Sequence, residues 1–396
     1  MKKRAGIFLL CFVIILLATI CCGANFPDKE VTVRFDEKNV LHDSYSTTSG
    51  YILKVIFFYD NDYDKLCQID FNGNYTLCLR NLYPQLYADI LVYAERVRRE
   101  AKEPSAIFSN GSFSYLDGEN GREVDVEKLC QDVIKNMENG AVTEATFLPI
   151  KPQKTVDEVK NETKKIAEFS TSFSTSSANR RHNIALAARQ LNNLVTLPGE
   201  KMSFNLAVGE RSVENGFKEA KIIKDGEFIE GVGGGVCQVS TTLFNVWLKA
   251  GLGVVSSATH SLPVSYVKPS LDAMVSSATD LVLLNDSVCC VYLHARCVGD
   301  ELVMTLYGKP CGYEIRLRSE TKEVICAEYK VEEAEIADWQ EGENERIVKE
   351  AVDGLVSESY RDYYKDGVFI RAEKLRKNTY KPQSGVKVLR KEEETP

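Results

Sequence analysis

The chain has 396 residues, of which 44% are hydrophobic and 27% are charged, a composition typical of globular domains with apolar cores. Its length predicts two or three domains. The formal net charge is −8, and no cluster of basic and aromatic residues occurs away from the chain ends. Because nucleic-acid-binding proteins usually carry a basic face that neutralises phosphates, we expect no nucleic-acid partner.

Residues 1–24 predict a signal peptide or a membrane anchor. Met1-Lys2-Lys3-Arg4 precedes an apolar run that extends to about Ala24. Such a basic flank stays in the cytoplasm, so the rest of the chain would lie outside it. We therefore expect a membrane-anchored or secreted protein, and the sequence leaves open whether the leader is cleaved.

The chain has 12 cysteines, and the three in the apolar run leave nine, an odd number. Outside the cytoplasm these can pair. Cys67 and Cys78 flank Asn72-Gly73, a dipeptide typical of two-residue hairpin turns. The pattern predicts a β-hairpin that places the two cysteines opposite each other as a candidate disulfide. If the other cysteines pair as well, Cys237 is our candidate for the free one.

Residues 25–154 predict a small α+β module, whose best-patterned part is 106–150. Its helices are predicted from apolar residues at helical spacing and its strands from short runs between turn residues. The predicted elements are strands at 31–35, 51–58, 106–115 and 143–150, a helix at 86–97, a turn at 118–121 and a helix capped by Asp125. The module contains no predicted catalytic group.

Residues 155–179 predict a linker between domains. Thr155 and Glu158 form a capping box for a helix that extends to about Ala167, and a stretch rich in Ser and Thr follows. Beyond the linker, the pattern predicts a helix around 184–195 and strands at 254–267, 273–284 and 289–297.

The most distinctive stretch is a glycine run that ends in a cysteine. Glycines 231, 233, 234 and 235 lie just before Cys237, and apolar residues then recur from Val239 to Ala250 at helical spacing. The cysteine is therefore predicted to lie at the start of a helix. There the helix dipole and the converging backbone N–H groups favour a thiolate.

A nucleophilic cysteine needs a base and a group that orients the base. His260 is the candidate base, and Asp272 or Asp280 is the candidate orienting carboxylate. Backbone N–H groups of residues 235–238 could form an oxyanion hole. This order along the chain is similar to that of papain-like and transglutaminase-like enzymes. Two alternatives stay open, namely binding of a ligand or muropeptide without reaction, and a purely structural role for Cys237.

Several polar residues and glycines near Cys237 are candidates for ligand binding. Arginines suit the carboxylate of a peptide stem, because the guanidinium group donates two parallel hydrogen bonds. The candidate binding residues are Gly233, Gly234, Gly235, Gln238, Ser240, Thr241, Arg181 and Arg211, with Arg180 beside Arg181.

A metal site is the competing hypothesis, because Cys289, Cys290, His294 and Cys297 lie close together in the sequence. The period of a strand places Cys289 and Cys297 on one face and the other two on the opposite face. We therefore expect no metal ion and no cofactor.

The region from Arg180 to Gly308 resembles the VanW family. The resemblance rests on motifs spread through the region, namely Leu191-Asn192-Asn193, Pro198-Gly199-Glu200, Ser203-Phe204-Asn205, Val208-Gly209-Glu210-Arg211, the Gly233 to Leu243 stretch, His260-Ser261 and Asp272-Ala273. It implies a bacterial cell-envelope protein that binds or remodels peptidoglycan, sometimes associated with glycopeptide resistance. The segment departs from the family at Pro269-Ser270, Met274 and Ser277.

Two further stretches resemble known domains. Residues 106–150 resemble the peptidoglycan-binding domain upstream in YoaR-like envelope proteins, which implies peptidoglycan or muropeptides as partners. Residues 311–390 resemble the five-glycine extracellular domain, and 391–396 form a tail. The expected fold class is therefore α+β: an N-terminal membrane segment, a small α+β module, an α+β VanW-like domain at 180–308 and a mostly β C-terminal domain. The oligomeric state stays open.

Overall fold

The structure, a computed structural model, describes residues 28–46, 62–137, 139–224, 227–333 and 343–390. The predicted leader at 1–24, the strand predicted at 51–58 and the tail at 391–396 lie outside these ranges. Within them, eight helices and 22 strands form an α+β fold, as predicted. No helix among the described residues is long and apolar enough to span a bilayer.

The chain divides into two compact units, Met1–Pro104 with Asp117–Thr155, and Ser105–Leu116 with Val156–Pro396. The first unit contains β1 (Lys29–Arg34), β2 (Val40–Tyr45), α1 (Tyr63–Asp70), α2 (Tyr75–Leu82), α3 (Pro84–Val97), β5 (Gly121–Val124), α4 (Val126–Asn136), β6 (Thr143–Glu144) and β7 (Phe147–Ile150). One sheet has the strand order β2-β1-β6, and β5 pairs with β7. The helices bury one apolar face each around a common core.

The predicted hairpin at Cys67 and Cys78 is wrong, because both cysteines lie on helices. The side chain of Asp62 caps the start of α1 and that of Asn74 caps the start of α2. Asn72 and Gly73 do take positive φ angles of 50° and 75°, but they turn the chain between two helices. The two cysteines form a disulfide across this turn, with their Cα atoms 5.6 Å apart.

The second unit contains a larger set of elements. In chain order they are β3 (Ser105–Ser109), β4 (Ser112–Leu116), α5 (Val156–Asn161), β8 (Lys164–Ser172), α6 (Ala178–Leu191), β9 (Val195–Thr196), β10 (Lys201–Ser203), α7 (Phe204–Val208), β11 (Glu219–Lys224), β12 (Glu227–Val232), α8 (Val236–Lys249), β13 (Gly253–Ser256), β14 (Val282–Leu284), β15 (Val291–Val298), β16 (Glu301–Gly308), β17 (Glu314–Ile325), β18 (Tyr329–Glu333), β19 (Glu345–Lys349), β20 (Gly354–Lys365), β21 (Val368–Tyr380) and β22 (Gly385–Leu389).

The sheets of the second unit are mostly antiparallel. The central sheet has the order β8-β16-β15-β9. Two smaller sheets follow the orders β10-β14-β13 and β11-β12. The C-terminal part forms the sheets β17-β20-β21 and β18-β22-β19, which makes it mostly β as predicted.

Helix α8 lies at the centre of the second unit. Twelve of its 14 residues are buried, and a helix that is buried on all sides belongs inside a core rather than on a surface. It packs against α6, β8 and β16. At its C-terminal end, Trp247 Nε1 donates hydrogen bonds to the carbonyl oxygens of Gly253 and Leu284 at 3.0 and 3.2 Å. The core therefore fixes the position of the first turn, which carries Cys237.

Residues 155–179 were predicted to form a linker, but nearly all of them belong to the second unit. The helix ends at Asn161, six residues before its predicted end at Ala167, and residues 164–172 form β8, which pairs with β16. Ala167 and Thr171 of β8 are buried. The Ser/Thr-rich composition concealed this strand, since Thr171 is satisfied inside the core by a 2.8 Å hydrogen bond to Thr242.

The strands predicted at 254–267 and 273–284 are also shorter than expected. Only β13 and β14 form there, and the residues between them are irregular. Apart from an isolated bridge between Ala258 and Met274, several of their backbone carbonyl groups bond to side chains. Asn245 Nδ2 donates to the carbonyl oxygen of Leu271 at 2.7 Å, and Arg376 Nε donates to that of Ser270 at 2.8 Å.

The β3-β4 hairpin packs against the central sheet of the second unit. Phe113 forms edge contacts with Tyr292 and Tyr307, with ring centroids 5.1 and 5.5 Å apart. Phe108 contacts the same two tyrosines. The four rings form one aromatic cluster, which attaches the hairpin to β15 and β16.

The turn of this hairpin is attached by asparagines from the Leu191-Asn192-Asn193 motif. The amide N–H of Asn110 donates to Asn193 Oδ1 at 2.7 Å, and Asn192 Nδ2 donates to Asn110 Oδ1 at 2.9 Å. Gly111 has a positive φ of 79°, and a Cβ atom there would lie 2.1 Å from His294 Nδ1. Only glycine fits this turn without displacing the histidine.

We expect Phe113→Ala to loosen the hairpin without unfolding the unit. The substitution removes one ring from the aromatic cluster, so hydrogen exchange at Ser105–Leu116 should accelerate roughly tenfold. Ile107→Ala on the same hairpin is the matched control, since the Ile107 side chain is 54% exposed. Equal acceleration in both variants would show that the aromatic cluster does not attach the hairpin.

Candidate functional site

Cys237 is the second residue of α8, as the glycine run predicts. Gly235 precedes the helix with a φ of +106°, and Gly233 has a φ of +88°. These left-handed angles favour glycine and turn the chain sharply into the helix. The N–H groups of Val236 and Gln238 bond to the carbonyl oxygens of Gly233 and Gly235. The N–H groups of Gly235 and Cys237 have no acceptor among the described residues, so these two groups are available to an oxyanion.

His260 and Asp272 lie beside Cys237. The His260 residue is 7% exposed and Asp272 is 1% exposed. One carboxylate oxygen of Asp272, Oδ2, lies 2.7 Å from both the ring Nδ1 and the backbone nitrogen of His260. The Cys237 thiol donates to the Val275 carbonyl oxygen at 3.4 Å, and it is close enough to the same imidazole for each group to shift the pKa of the other. We call Cys237, His260 and Asp272 the triad.

The electrostatics of the triad favour a thiolate beside an imidazolium. Burial by itself raises the pKa of Cys237, but its interactions with His260, the Val275 carbonyl group and the charge of Arg211 together outweigh burial, and the net pKa is lowered. Burial lowers the pKa of His260, while Asp272 and Cys237 raise it to about 9. The pKa of Asp272 is lowered, because its hydrogen bonds outweigh its burial.

Polar side chains on α8 hold the segment that carries Asp272. Ser240 Oγ donates to the carbonyl oxygen of Ala273 at 2.6 Å, and Thr241 Oγ1 accepts from the Ala273 N–H at 2.9 Å. Asn245 bonds to the preceding turn through Leu271. Ser240 and Thr241 are fully buried. Both hydroxyl groups thus position the Asp272 segment, and their role in ligand binding stays a prediction.

The C-terminal β part completes the surroundings of Asp272. Tyr380, the last residue of β21, donates its hydroxyl hydrogen to Asp272 Oδ1 at 2.6 Å and accepts from the Ser270 N–H at 2.6 Å. Arg376 of the same strand donates to the carbonyl oxygens of Ser270 and Asp272. Ser270, at one of the positions where the sequence departs from the family, takes a positive φ of 63°. Tyr380 and Arg376 could not be predicted from the sequence, because more than 100 residues separate them from Asp272.

Asp280, the other candidate orienting group, is not brought to His260. One of its carboxylate oxygens accepts from the Asn205 N–H at 2.9 Å, and the other accepts from the Ser203 hydroxyl. Asp280 therefore holds the first turn of α7. Of the two carboxylates considered, the geometry leaves Asp272 as the partner of the imidazole.

The remaining sequence candidates have structural partners. Arg181 pairs with Asp300 and bonds to the carbonyl oxygen of Ser176. Gln238 Nε2 donates to Thr171 Oγ1 and to the carbonyl oxygen of Ser172 at 3.0 and 2.9 Å, which ties α8 to β8. Gly234 is enclosed, since a Cβ atom there would lie 2.7 Å from the Lys221 carbonyl oxygen. Among the described residues, no group of three or more His, Cys, Asp or Glu side chains is arranged to hold a metal ion.

Two segments of the sequence match the models of known domain families. Residues 179–307 match the family model described as "VanW like protein", and residues 85–144 match the model described as "Putative peptidoglycan binding domain". The chain therefore carries a VanW-like domain that contains the triad, and the resemblance inferred from the sequence is confirmed.

Two curated relatives share this region. YoaR of Bacillus subtilis is 42% identical over 147 residues, which cover 37% of this chain and 48% of that protein. The vancomycin B-type resistance protein VanW of Enterococcus faecalis is 32% identical over 117 residues, which cover 28% of this chain and 42% of that protein. The chain thus spans about half the length of the curated relatives it matches or less. The solved IgA1 protease G5 domain covers 20% of the chain at 21% identity, with a TM-score of 0.14.

We expect Cys237 to react with iodoacetamide at pH values where an ordinary thiol is protonated, because its pKa is lowered. His260→Gln removes the positive charge of the imidazolium and leaves Cys237 buried. The pH midpoint of the rate at which iodoacetamide alkylates Cys237 should therefore rise by about one to three units. Peptide mapping by mass spectrometry measures this. Cys297 is the internal control, since burial raises its pKa. A Cys237 midpoint at or above that of Cys297 would contradict the thiolate–imidazolium pair.

We expect Tyr380→Phe to act on Cys237 through Asp272. Loss of the hydroxyl raises the pKa of Asp272 and leaves the Ser270 N–H unpaired. The Cys237 midpoint should therefore rise by less than in His260→Gln, and the free energy of unfolding should fall by about 1–3 kcal/mol. Tyr363→Phe is the matched control, because its hydroxyl bonds to Glu373 at 2.6 Å rather than to Asp272. An equal shift of the midpoint in both variants would rule out a positioning role for Tyr380.

Proposed function

We propose that this chain is an extracytoplasmic cell-envelope protein whose VanW-like domain catalyses acyl transfer or amide hydrolysis on cell-wall peptides, with Cys237 as the nucleophile. The observation that carries the proposal is the buried, hydrogen-bonded pair of His260 and Asp272, whose imidazole lowers the pKa of the Cys237 thiol beside it. A purely structural cysteine needs neither a buried imidazole beside it nor a buried carboxylate behind that imidazole.

The energetics support chemistry over a purely structural role. Burying an ion pair contributes little to stability, because desolvation offsets the attraction between the charges. The triad nevertheless keeps a carboxylate that is 1% exposed and an imidazole whose pKa is raised to about 9. Strongly perturbed pKa values from specific charged partners are typical of functional sites.

The first half of the proposed reaction forms a thioester. The thiolate of Cys237 attacks the carbonyl carbon of a peptide amide, and the Cys237 N–H stabilises the negative charge that develops on the carbonyl oxygen. The C–N bond then breaks, and the imidazolium of His260 gives its proton to the leaving amine. Asp272 keeps the ring oriented through Nδ1 while the positive charge on the ring changes.

The second half releases the acyl group. Water or a second amine attacks the thioester, and His260 accepts the proton from this attacking group. The C–S bond breaks and restores the thiolate of Cys237 with the imidazolium beside it. Water as acceptor gives hydrolysis, whereas an amine acceptor gives a new amide bond.

The cell-wall assignment is supported by the match of residues 85–144 to a peptidoglycan-binding model and by the similarity to VanW, a vancomycin resistance protein. A domain that binds peptidoglycan on the same chain as a thiol nucleophile would raise the effective concentration of peptide amides at that nucleophile. Anchoring through residues 1–24 and a link to glycopeptide resistance remain predictions.

The proposal is tested by incubating the full chain with soluble muropeptides. We expect mass spectrometry to detect an acyl adduct on Cys237 together with released or exchanged peptide. Cys237→Ala should lower product formation roughly 10³-fold or more. Cys311→Ala is the matched control at an exposed free cysteine. Muropeptide binding without product or adduct would replace the enzyme by a binding module, and equal product from Cys237→Ala would refute the nucleophile.

A further inference from the structure

Two arginines lie against the glycine run that leads into Cys237. Arg180, in the first turn of α6, packs on Gly235, where a Cβ atom would lie 3.0 Å from its Cγ. Arg211, in the loop after α7, packs on Gly233, where a Cβ atom would lie 3.1 Å from its Cβ. The two glycines thus leave room for the two side chains. Both guanidinium groups are close enough to Cys237 for its negative charge to act on them. This charge partly offsets the lowering of their pKa values by burial.

Neither arginine forms an ion pair with a carboxylate among the described residues. Arg180 Nη1 donates to the Ser176 hydroxyl at 2.6 Å, and Arg211 Nη2 donates to Asn205 Oδ1. Arg211 Nε is buried with no hydrogen-bond partner. Both side chains are half-buried, and burial is the main cause that lowers the pKa of each. A partly buried cation whose hydrogen-bond partners are all neutral can be stabilised further by an anion. The two arginines are therefore suited to bind an anion.

The charge around Cys237 is positive, although the whole chain carries −8. Arg180, Arg211, Arg376 and the imidazolium of His260 supply four positive charges, while the thiolate, Asp272 and Asp280 supply three negative charges. Arg376 lies 4.0 Å from Asp272 and Arg181 is neutralised by Asp300. Arg180 and Arg211 differ from both, because no carboxylate among the described residues lies within ion-pair distance of them.

We propose that Arg180 and Arg211 form an anion subsite that binds a carboxylate of the peptide on which Cys237 acts. The inference rests on the proposed function for its peptide substrate. A carboxylate is the anion that a peptide offers close to an amide, and two guanidinium groups bind it by charge-assisted hydrogen bonds. Binding it beside the thiol would hold the neighbouring amide in position for attack.

The subsite is tested with two alkylating reagents of similar size on the full chain. Iodoacetate carries a carboxylate and iodoacetamide does not, so the ratio of their rates at Cys237 reports recognition of the anion. Arg180→Gln and Arg211→Gln should each lower the ratio of iodoacetate to iodoacetamide roughly fivefold. Arg211→Lys should retain most of the preference, and Arg181→Gln, the matched control, should leave the ratio unchanged. An unchanged ratio in both glutamine variants overturns the subsite, even if the pH midpoint of Cys237 moves.

A second measurement does not depend on the reactivity of Cys237. In Cys237→Ala, titration with N-acetylalanine and with N-acetylalaninamide, followed by NMR, compares a carboxylate with its neutral analogue. We expect the carboxylate alone to perturb the site, and Arg211→Gln to abolish the difference. Equal binding of the two compounds would refute the subsite. Carboxylate preference with an unreactive Cys237 would retain the subsite and refute the enzyme.

Discussion

The buried carboxylate of Asp272 is the constraint on which the rest of the site depends. An ionised carboxylate that is 1% exposed is tolerated only if its oxygens are hydrogen-bonded. Oδ2 lies 2.7 Å from two nitrogens of His260, and Oδ1 accepts from the Tyr380 hydroxyl at 2.6 Å. The same bonds that satisfy the carboxylate also orient the imidazole toward Cys237. Satisfying one buried charge and positioning the imidazole beside Cys237 are therefore a single structural requirement.

This requirement explains why the site draws on distant parts of the second unit. Helix α8 supplies Cys237 at its start and, one turn later, the polar groups that hold the Ala273 backbone. Strand β21 supplies Tyr380 and Arg376, both bonded to the Ser270–Asp272 segment. Ser270 has a positive φ, and its hydroxyl bonds to Ser357 of β20. The C-terminal β part is thus a structural component of the site and not only a spacer attached to the VanW-like domain.

The sequence predicted the parts of this arrangement that depend on local chemistry. The glycine run, the helix that begins near Cys237 and the pairing of a histidine with a carboxylate follow from dihedral preferences, helical periodicity and the needs of a thiolate. The sequence could not show whether Asp272 or Asp280 is the partner of His260, because that depends on which loop the buried face of α8 holds. The sequence could not show that Ser240 and Thr241 hold the Ala273 backbone, because buried polar groups with backbone partners look the same in a sequence as groups that bind a ligand. The hairpin prediction at Cys67 and Cys78 was wrong because the helix caps at Asp62 and Asn74 outweigh the turn preference of Asn72-Gly73.

The oxyanion donors show how the structure narrows a general expectation. Four residues, 235–238, were candidates, and the turn that places Cys237 at the helix start uses the N–H groups of Val236 and Gln238 in local bonds. The N–H groups of Gly235 and Cys237 remain without an acceptor among the described residues. In the proposed reaction, a substrate carbonyl bound to the Cys237 N–H lies near the thiolate by covalent geometry. The glycines meet two requirements: positive φ angles at the helix start, and the absence of a Cβ atom where Arg180 and Arg211 pack against the glycine run. A single alanine at Gly233 or Gly235 would disturb both the turn and an arginine, so this stretch fixes both the position of Cys237 and the charge around it.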